Sequence, residues 1–122
     1  MMQRDRASAM LGMVVERSDF GHAIVSMALR DDMMNGHDVT HGGYVVALAD
    51  TAFAIACNDD VVTTLAAGAD ISFLKATHTG QTLRATAVER SLRGRSGIYD
   101  VTVVDETGDV VAEFRGRSRT LR

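Results

Sequence analysis

Residues 44–57, with the sequence YVVALADTAFAIAC, decide the fold of this chain. The segment is 14 residues long and contains five alanines. It is too long and too rich in alanine for a buried strand, so it favours an α-helix. It is apolar nearly all round, and Asp50 and Thr51 are its polar interruptions. Such a helix is buried on most of its sides. We therefore predict one long, buried helix.

The segments on either side predict a short helix and six strands. Residues 4–12 are rich in helix formers and end at Gly12, whereas residues 13–16 and 21–30 flank a turn and predict a hairpin. Beyond the long helix, apolar residues alternate along four segments separated by glycine-containing turns: 61–75, 81–93, 97–105 and 109–121. This spacing predicts antiparallel meander pairing. One apolar helix against one antiparallel sheet is an α+β arrangement.

Length and composition predict a single globular domain over residues 1–122. The chain is 46% hydrophobic and 24% charged, and a core of this size would gain from burying further surface by self-association. Its one cysteine, Cys57, excludes an intrachain disulfide and is interpreted as a small core residue. No signal-peptide pattern precedes residue 20, and no apolar run reaches the roughly 18 residues of a membrane span. We expect a cytoplasmic protein that does not enter membranes.

The charge is unevenly distributed along the chain. The net charge of −3 argues against a nucleic-acid-binding protein, which is normally basic. Residues 1–74 carry 4 basic and 10 acidic side chains, whereas residues 75–122 carry 9 basic and 6 acidic ones. Twelve of the 13 basic residues are arginine, which binds phosphate bidentately. Arg93 and Arg95, in one predicted turn, would suit a phosphate-bearing ligand, although exposed arginines more often form a solvated surface.

Asp50 is the first candidate for chemistry. A carboxylate in the middle of an apolar helix costs several kcal/mol if it is buried and unpaired. It therefore has a partner, lies at an exposed edge, stays protonated or has a function. Structural ion pairs also perturb acids, so position alone does not decide between these alternatives.

The start of the long helix is the second candidate. It reads THGG at residues 40–43, and the first turn of a helix has free backbone N–H groups and a partial positive charge. Gly42 and Gly43 have no side chains, so a carbonyl oxygen or phosphate could approach closely, as in an oxyanion hole. The glycines could equally serve only to allow a tight turn into the helix.

The spacing of these two candidates has a consequence for assembly. Gly42 and Asp50 are eight residues apart, which on a helix is about 12 Å along the axis. One carbonyl group cannot meet both from the same chain. If they share a site, one of them comes from a second copy, so the spacing predicts a two-fold dimer with adjacent antiparallel helices.

Other chemistries have weaker signals. His37 and His41 have the spacing of a metal-binding pair, but no third ligand follows at a recognisable distance, so we predict no metal. The chain has no G-x-S-x-G motif of a serine hydrolase and no P-loop or G-x-G-x-x-G phosphate-binding motif. We expect no cofactor.

A family resemblance joins these features. The chain reads NGH at residues 35–37, HGG at 41–43 and LADTAFA at 48–54, with Asn58 closing the helix; ISFL at 71–74, GQTLRATA at 80–87, GRSGIYDV at 94–101 and FRG at 114–116 follow. This pattern resembles the hotdog-fold acyl-CoA thioesterases of the phenylacetate-degradation (PaaI) type. The resemblance covers most of residues 10–118. It differs at residues 75–77, KAT, where the family often has a proline.

The resemblance implies a long central helix wrapped by a bent antiparallel sheet, in homodimers and commonly homotetramers. It implies that the Gly42 N–H polarises the thioester carbonyl, and that Asp50 of the facing subunit is the general base or nucleophile. Asn35 and His41 match positions that place the thioester or the attacking water. No hydroxyl aligns securely at the family's water-holding position after the helix.

The substrate implied is an aryl-acyl-CoA, such as phenylacetyl- or hydroxyphenylacetyl-CoA. By position alone, Tyr44, Phe53, Met33 and Met34 are candidates for the acyl pocket, and Arg93 and Arg95 would bind the CoA phosphates. Two alternatives keep the same fold: a non-catalytic acyl-CoA-binding sensor or assembly module, which releases no thiol, and a hydratase, which usually pairs a histidine with an acid.

Overall fold

The computed structural model describes residues 5–58 and 63–121. The helices are α1 (Arg6–Met10) and α2 (Gly42–Cys57), and a 3-10 turn spans Asp31–Met33. The strands are β1 (Val14–Asp19), β2 (His22–Ala28), β3 (Thr64–Phe73), β4 (Thr82–Arg93), β5 (Ser96–Val104) and β6 (Val110–Thr120). The predicted types and order of elements are confirmed. Residues 61 and 62, where the third strand was predicted to begin, lie outside the described residues.

Helix α2 is two residues longer than predicted at its start, because His41 caps it and both Gly42 and Gly43 are helical. At its other end Asn58 closes the helix. The Asn58 side-chain amide donates to the Ala54 carbonyl at 2.8 Å and to the Thr64 carbonyl at 2.9 Å, and its oxygen accepts from the Thr64 N–H at 2.7 Å. One side chain therefore ends α2 and ties it to the start of β3.

The six strands form one antiparallel sheet in the order β1-β2-β4-β5-β6-β3. The predicted meander is correct for β4, β5 and β6 and wrong for β3, which pairs with β6 instead of β4. Both edges of β4 are already occupied by β2 and β5, so β3 adds to the free edge of β6. The described sheet consequently ends in β1 on one side and β3 on the other.

The sheet wraps around α2, and each of the six strands contacts the helix. Leu48, Ala49 and Ala52 of α2 are fully buried against the inward side chains of the strands. Shifts of register in four of the strand pairs bend the sheet. The α+β class and the wrapped central helix are confirmed. No helix within the described ranges is long and apolar enough to cross a membrane.

One face of α2 stays open. Nine of its 16 residues are buried, but Gly43 and Asp50 are exposed and Ala47 and Ala54 are half-buried. These four residues recur every three to four positions and therefore lie on one side of the helix. The open face carries small side chains and a single carboxylate.

The close packing of α2 against β6 yields a stability prediction. Gly116 lies against the Phe53 ring, and a Cβ built there would be 2.7 Å from a ring carbon. Both residues are buried, so Gly116→Ala is expected to lower the free energy of unfolding by about 1–3 kcal/mol, measured by urea denaturation. Gly36→Ala is the control, because no atom lies within 4 Å of the new Cβ. Equal effects of the two substitutions would contradict the close packing.

Candidate active site

The start of α2 presents a free backbone donor. His41 is the N-cap, and its Nδ1 accepts a hydrogen bond from the Gly43 N–H at 3.3 Å, while its carbonyl accepts from the Tyr44 N–H at 3.0 Å. Within residues 5–58 and 63–121 the Gly42 N–H has no hydrogen-bond partner. It lies at the positive end of a 16-residue helix dipole. A free N–H in that position can bind the oxygen of a polarised carbonyl.

A cavity of about 450 Å³ opens beside this donor. It lies between the start of α2 and the end of β3, and most of its lining side chains are apolar: Thr40, Gly42, Val45, Phe73, Leu74, Lys75, Ala76, Thr77 and Val111. The Phe73 ring covers Gly42 so closely that a Cβ there would be 3.1 Å from Cζ. The cavity therefore offers an apolar surface next to the free N–H.

Polar contacts hold the far wall of the cavity. Lys75 Nζ donates to Asp105 at 2.8 Å and to Asp109 at 2.7 Å, and the hydrogen bonds from Lys75 and Thr107 hold the pKa of Asp105 well below its usual range. Thr77 Oγ1 donates to Thr40 Oγ1 at 2.7 Å, and both threonines are buried. The chain that follows β3 is thereby tied to the start of α2.

Asn35 belongs to a tight loop that precedes α2. Its side-chain oxygen accepts hydrogen bonds from the His37 N–H at 2.8 Å and from the Val39 N–H at 3.4 Å. Its side-chain nitrogen has no partner in the described part of the chain and can donate outside the loop. Asp38, in the same loop, has a φ of 59°, the left-handed conformation that a tight turn requires. The loop presents the Asn35 amide as a fixed donor.

Asp50 is exposed on the open face of α2. The loss of hydration beside the helix raises its pKa, and the negative charge of Asp5 raises it further. Across the described residues no hydrogen bond or ion pair to its carboxylate is present. Of the alternatives that the sequence left open for Asp50, the structure shows that its side chain lies at an exposed edge of the helix. A carboxylate with a raised pKa and free oxygens is suited to accept a proton.

Gly42 and Asp50 lie on the same helix, eight residues apart, as the sequence predicted. The separation along the axis is about 12 Å. They do not meet within one chain. The predicted sharing of a site between two copies stays a prediction.

Two of the four residues predicted for the acyl pocket are buried in the core of the chain. Phe53 and Met33 are each 1% exposed and belong to the core, where the Phe53 ring packs against Tyr99 at 5.6 Å. Tyr44 and Met34 are half-buried, and the Tyr44 ring meets the His41 ring edge-on at 6.2 Å.

The cavity instead uses two residues that the sequence analysis did not single out. Phe73 and Leu74 are 54% and 59% exposed. The sequence did contain a sign of this surface, since two large apolar residues are adjacent in a strand that otherwise alternates. Neighbouring residues in a strand point to opposite faces. At least one of them has to face away from the core.

Arg93 and Arg95 lie at the opposite end of the sheet from Gly42. Arg93 is the last residue of β4, Arg95 lies in the two-residue turn between β4 and β5, and both are exposed. Along β6, Val111 lines the cavity and Arg119 pairs with Ser96, and these two positions of β6 are about 26 Å apart. The two arginines therefore do not reach Gly42 of their own chain.

Several other exposed arginines are engaged in ion pairs on the outer face of the sheet. Arg90 and Arg115 both contact Asp100, and Arg117 contacts Asp70. These residues form a solvated charged surface.

The two histidines with metal-like spacing have other roles. His37 is exposed and donates its backbone N–H to Asn35, and His41 uses Nδ1 to cap α2. Over the residues that the structure describes, no group of three or more histidine, cysteine, aspartate or glutamate side chains could hold a metal ion.

Comparisons with known proteins identify the relatives of this chain. The family model for the thioesterase superfamily matches residues 37–112, more than half of the chain. Acyl-coenzyme A thioesterase PaaI of Escherichia coli is 39% identical over 121 residues, covering 99% of this chain and 86% of the relative.

Two solved structures are closely similar. The E. coli PaaI protein from the phenylacetic acid degradation operon superposes with a TM-score of 0.97 at 38% identity, over 100% of this chain and 88% of the other. A mutant of the phenylacetic acid degradation protein PaaI from Thermus thermophilus gives a TM-score of 0.91 at 35% identity, over 96% of this chain and 100% of the other.

Proposed function

We propose that this chain, which belongs to the thioesterase superfamily and is a thioester hydrolase with the hotdog fold, hydrolyses aryl-acyl-CoA thioesters to the free acid and CoA. The substrates would be of the phenylacetyl- or hydroxyphenylacetyl-CoA type. The observation that carries the proposal is the free Gly42 N–H beside a largely apolar cavity, on the same helix as the exposed Asp50. The E. coli relative is named an acyl-coenzyme A thioesterase. The chain would act as a single domain over residues 1–122, without a cofactor.

The active unit is proposed to be a homodimer. The small residues on the open face of α2 allow a second helix to approach closely, and the edge strand β3 is ten residues long with exposed Leu65 and Phe73. A long, apolar, unpaired edge is a template for pairing with another strand. Two antiparallel α2 helices would bring Gly42 of one subunit towards Asp50 of the other. Two such dimers would form the homotetramer.

In the proposed mechanism the thioester carbonyl oxygen accepts the hydrogen bond of the Gly42 N–H. As a nucleophile adds to the carbonyl carbon, negative charge builds on this oxygen, and one such donor is worth about 3 kcal/mol. Gly43 keeps the approach open, because it has no side chain.

Asp50 of the facing subunit supplies the nucleophile by one of two routes. As a general base it takes a proton from water, and the hydroxide adds to the carbonyl. As a nucleophile its carboxylate adds directly, and water then hydrolyses the mixed anhydride. In both routes the C–S bond breaks and the CoA sulfur leaves with the electron pair and is protonated. The Asn35 amide and the His41 ring would orient the thioester or the water.

The cavity beside Gly42 is the proposed place for the aryl-acyl group. Phe73, Leu74 and Val45 offer apolar contacts within reach of the carbonyl, and Tyr44 lies beside His41 at the same helix start. An aromatic ring packs well against another aromatic ring. These contacts favour aryl over short acyl groups.

A thiol-release assay over aryl, short and long acyl-CoAs tests the proposal. Free CoA is expected to appear fastest with phenylacetyl- or hydroxyphenylacetyl-CoA. Binding of acyl-CoA without thiol release would instead identify a sensor or assembly module. Addition of water to an enoyl-CoA without thiol release would identify a hydratase.

Arg93 and Arg95 are proposed to bind the CoA phosphates of the partner subunit's site, because they lie far from Gly42 of their own chain. The double variant Arg93→Ala with Arg95→Ala is expected to raise KM for a CoA thioester about tenfold, since a hydrogen bond to a charged group is worth about 1.5–3 kcal/mol. The KM for a truncated pantetheine thioester, which has no nucleotide, should change little. Arg115→Ala with Arg117→Ala removes the same charge from the outer face and serves as the control. Equal effects on KM for both substrates would show that Arg93 and Arg95 do not bind the CoA phosphates and belong to the solvated charged surface.

A further inference from the structure

A chain of hydrogen bonds ties α1 to α2 beside Asp50. Asp5, the N-cap of α1, accepts from the Ser8 N–H at 2.9 Å and from the Ser8 hydroxyl at 2.6 Å. Ser8 Oγ lies 3.2 Å from Thr51 Oγ1, which also donates to the Ala47 carbonyl at 2.8 Å. Each hydroxyl has one proton, so Ser8 donates to Asp5 and Thr51 shares its proton between Ser8 and Ala47.

The chain is buried where the two helices meet. Ser8 is 2% exposed and Thr51 is 8% exposed. A helix of five residues has little stability of its own, so its position depends on such tertiary contacts. Thr51 directly follows Asp50 in α2. The Asp5 carboxylate is therefore held two hydrogen bonds away from the residue next to Asp50.

The surroundings of Asp50 at the α1–α2 contact raise its pKa. The hydrogen bonds from Ser8 lower the pKa of Asp5, so this carboxyl group loses its proton at a lower pH than Asp50 does. Loss of hydration and then the charge of Asp5 raise the pKa of Asp50. Fixed negative charge beside a carboxylate favours its protonated form.

Other ionisable groups near the two helices do not offset this effect. Burial raises the pKa of the Cys57 thiol to about 11, so it is neutral near pH 7. From the sheet, the Tyr99 hydroxyl donates to Glu89 at 3.3 Å. Arg6 on α1 forms no ion pair with Asp50 in the part of the chain that the structure describes.

We infer that Asp5, held in place by Ser8 and Thr51, is a positioning residue that makes Asp50 a stronger proton acceptor in thioester hydrolysis. This inference rests on the proposed role of Asp50. A base that accepts a proton in the transition state gains when nearby negative charge stabilises its protonated form. The α1 helix is thereby an electrostatic support for the reacting carboxylate as well as a structural element.

Asp5→Asn tests the inference, because asparagine keeps the capping oxygen and removes the charge. We expect the acid limb of the pH profile of kcat/KM for phenylacetyl-CoA to move to lower pH. The plateau value of kcat/KM is expected to fall about two- to fivefold. Ser8→Ala removes the hydroxyl that links the Asp5 carboxylate to Thr51 and keeps the backbone N–H that caps α1, and it should shift the limb in the same direction. Asp19→Asn removes an exposed charge at the end of β1 and should leave the profile unchanged.

A titration of the Asp50 carboxyl by ¹³C NMR in the assembled protein gives a second readout that does not need turnover. Its midpoint should lie at lower pH in Asp5→Asn than in the wild type. An unchanged midpoint and an unchanged acid limb would overturn the inference and leave Asp5 as a helix cap, even where Asp50→Asn abolishes activity. Full turnover in Asp50→Asn would overturn the proposed function, whereas a shifted midpoint would still establish the coupling of the two carboxylates.

Discussion

Asp50→Asn is expected to lower kcat for phenylacetyl-CoA by about 10²–10⁴-fold, the typical contribution of a positioned general base. The amide has nearly the same shape as the carboxylate but accepts no proton and is a poor nucleophile. Both routes of the proposed mechanism therefore fail in this variant. The measurement is the rate of thiol release at saturating substrate.

The fold should survive this substitution. Asp50 is exposed, and its carboxylate makes no hydrogen bond or ion pair with residues 5–58 or 63–121, so asparagine breaks no contact there. The substitution also removes a partly dehydrated charge close to Asp5. The thermal midpoint should therefore be at least as high as that of the wild type, and Asp19→Asn should retain full turnover. Wild-type turnover in Asp50→Asn would contradict the mechanism.

The central helix could be predicted because its composition and length alone indicate a helix. A run of alanine with scattered larger apolar residues has both the propensity and the length of a helix, and the alternating segments after it have the period of strands. These patterns involve residues close together in the chain. They are therefore visible without knowledge of the fold.

The pairing of β3 with β6 could not be predicted in the same way. A meander and the observed strand order contain the same strands with the same alternation of apolar residues. They differ only in whether β3 pairs with β4 or with β6. The position of Phe53 has a similar explanation. An aromatic residue on a helix can face a core or a pocket, and only the positions of Tyr99 and Gly116 decide that it faces the core.

Part of the candidate site could be proposed from the sequence, and the structure adds the contacts around it. The glycines at the helix start and the spacing to Asp50 were visible in the sequence. That His41 engages the Gly43 N–H and leaves the Gly42 N–H free follows from the geometry of the cap. The hydrogen bond between Ser8 of α1 and Thr51 of α2 joins residues more than 40 positions apart, and no pattern in the sequence indicates it.

Gly42→Pro is expected to lower kcat/KM about 10²–10³-fold, because proline has no N–H to donate to the developing oxyanion. Proline is well accepted at the first position of a helix. The preceding residue, His41, already has φ −61° and ψ 126°, which is the extended conformation that a following proline requires. The added ring meets the Phe73 side chain, which is 54% exposed and is not held in the core. Gly42→Ala is the control, since it adds a Cβ at the same place and keeps the N–H.

Mixing subunits of Asp50→Asn and Gly42→Pro then tests whether the site is shared. If Gly42 of one subunit works with Asp50 of the other, a mixed dimer contains one intact site, made of Gly42 from the first variant and Asp50 from the second. Random reassociation of equal amounts would make half of the dimers mixed, so about one quarter of wild-type activity should return. If each site used Gly42 and Asp50 of the same chain, every site in the mixture would carry one defect and no activity would return. The roughly 12 Å between the two residues along one helix predicts the recovery.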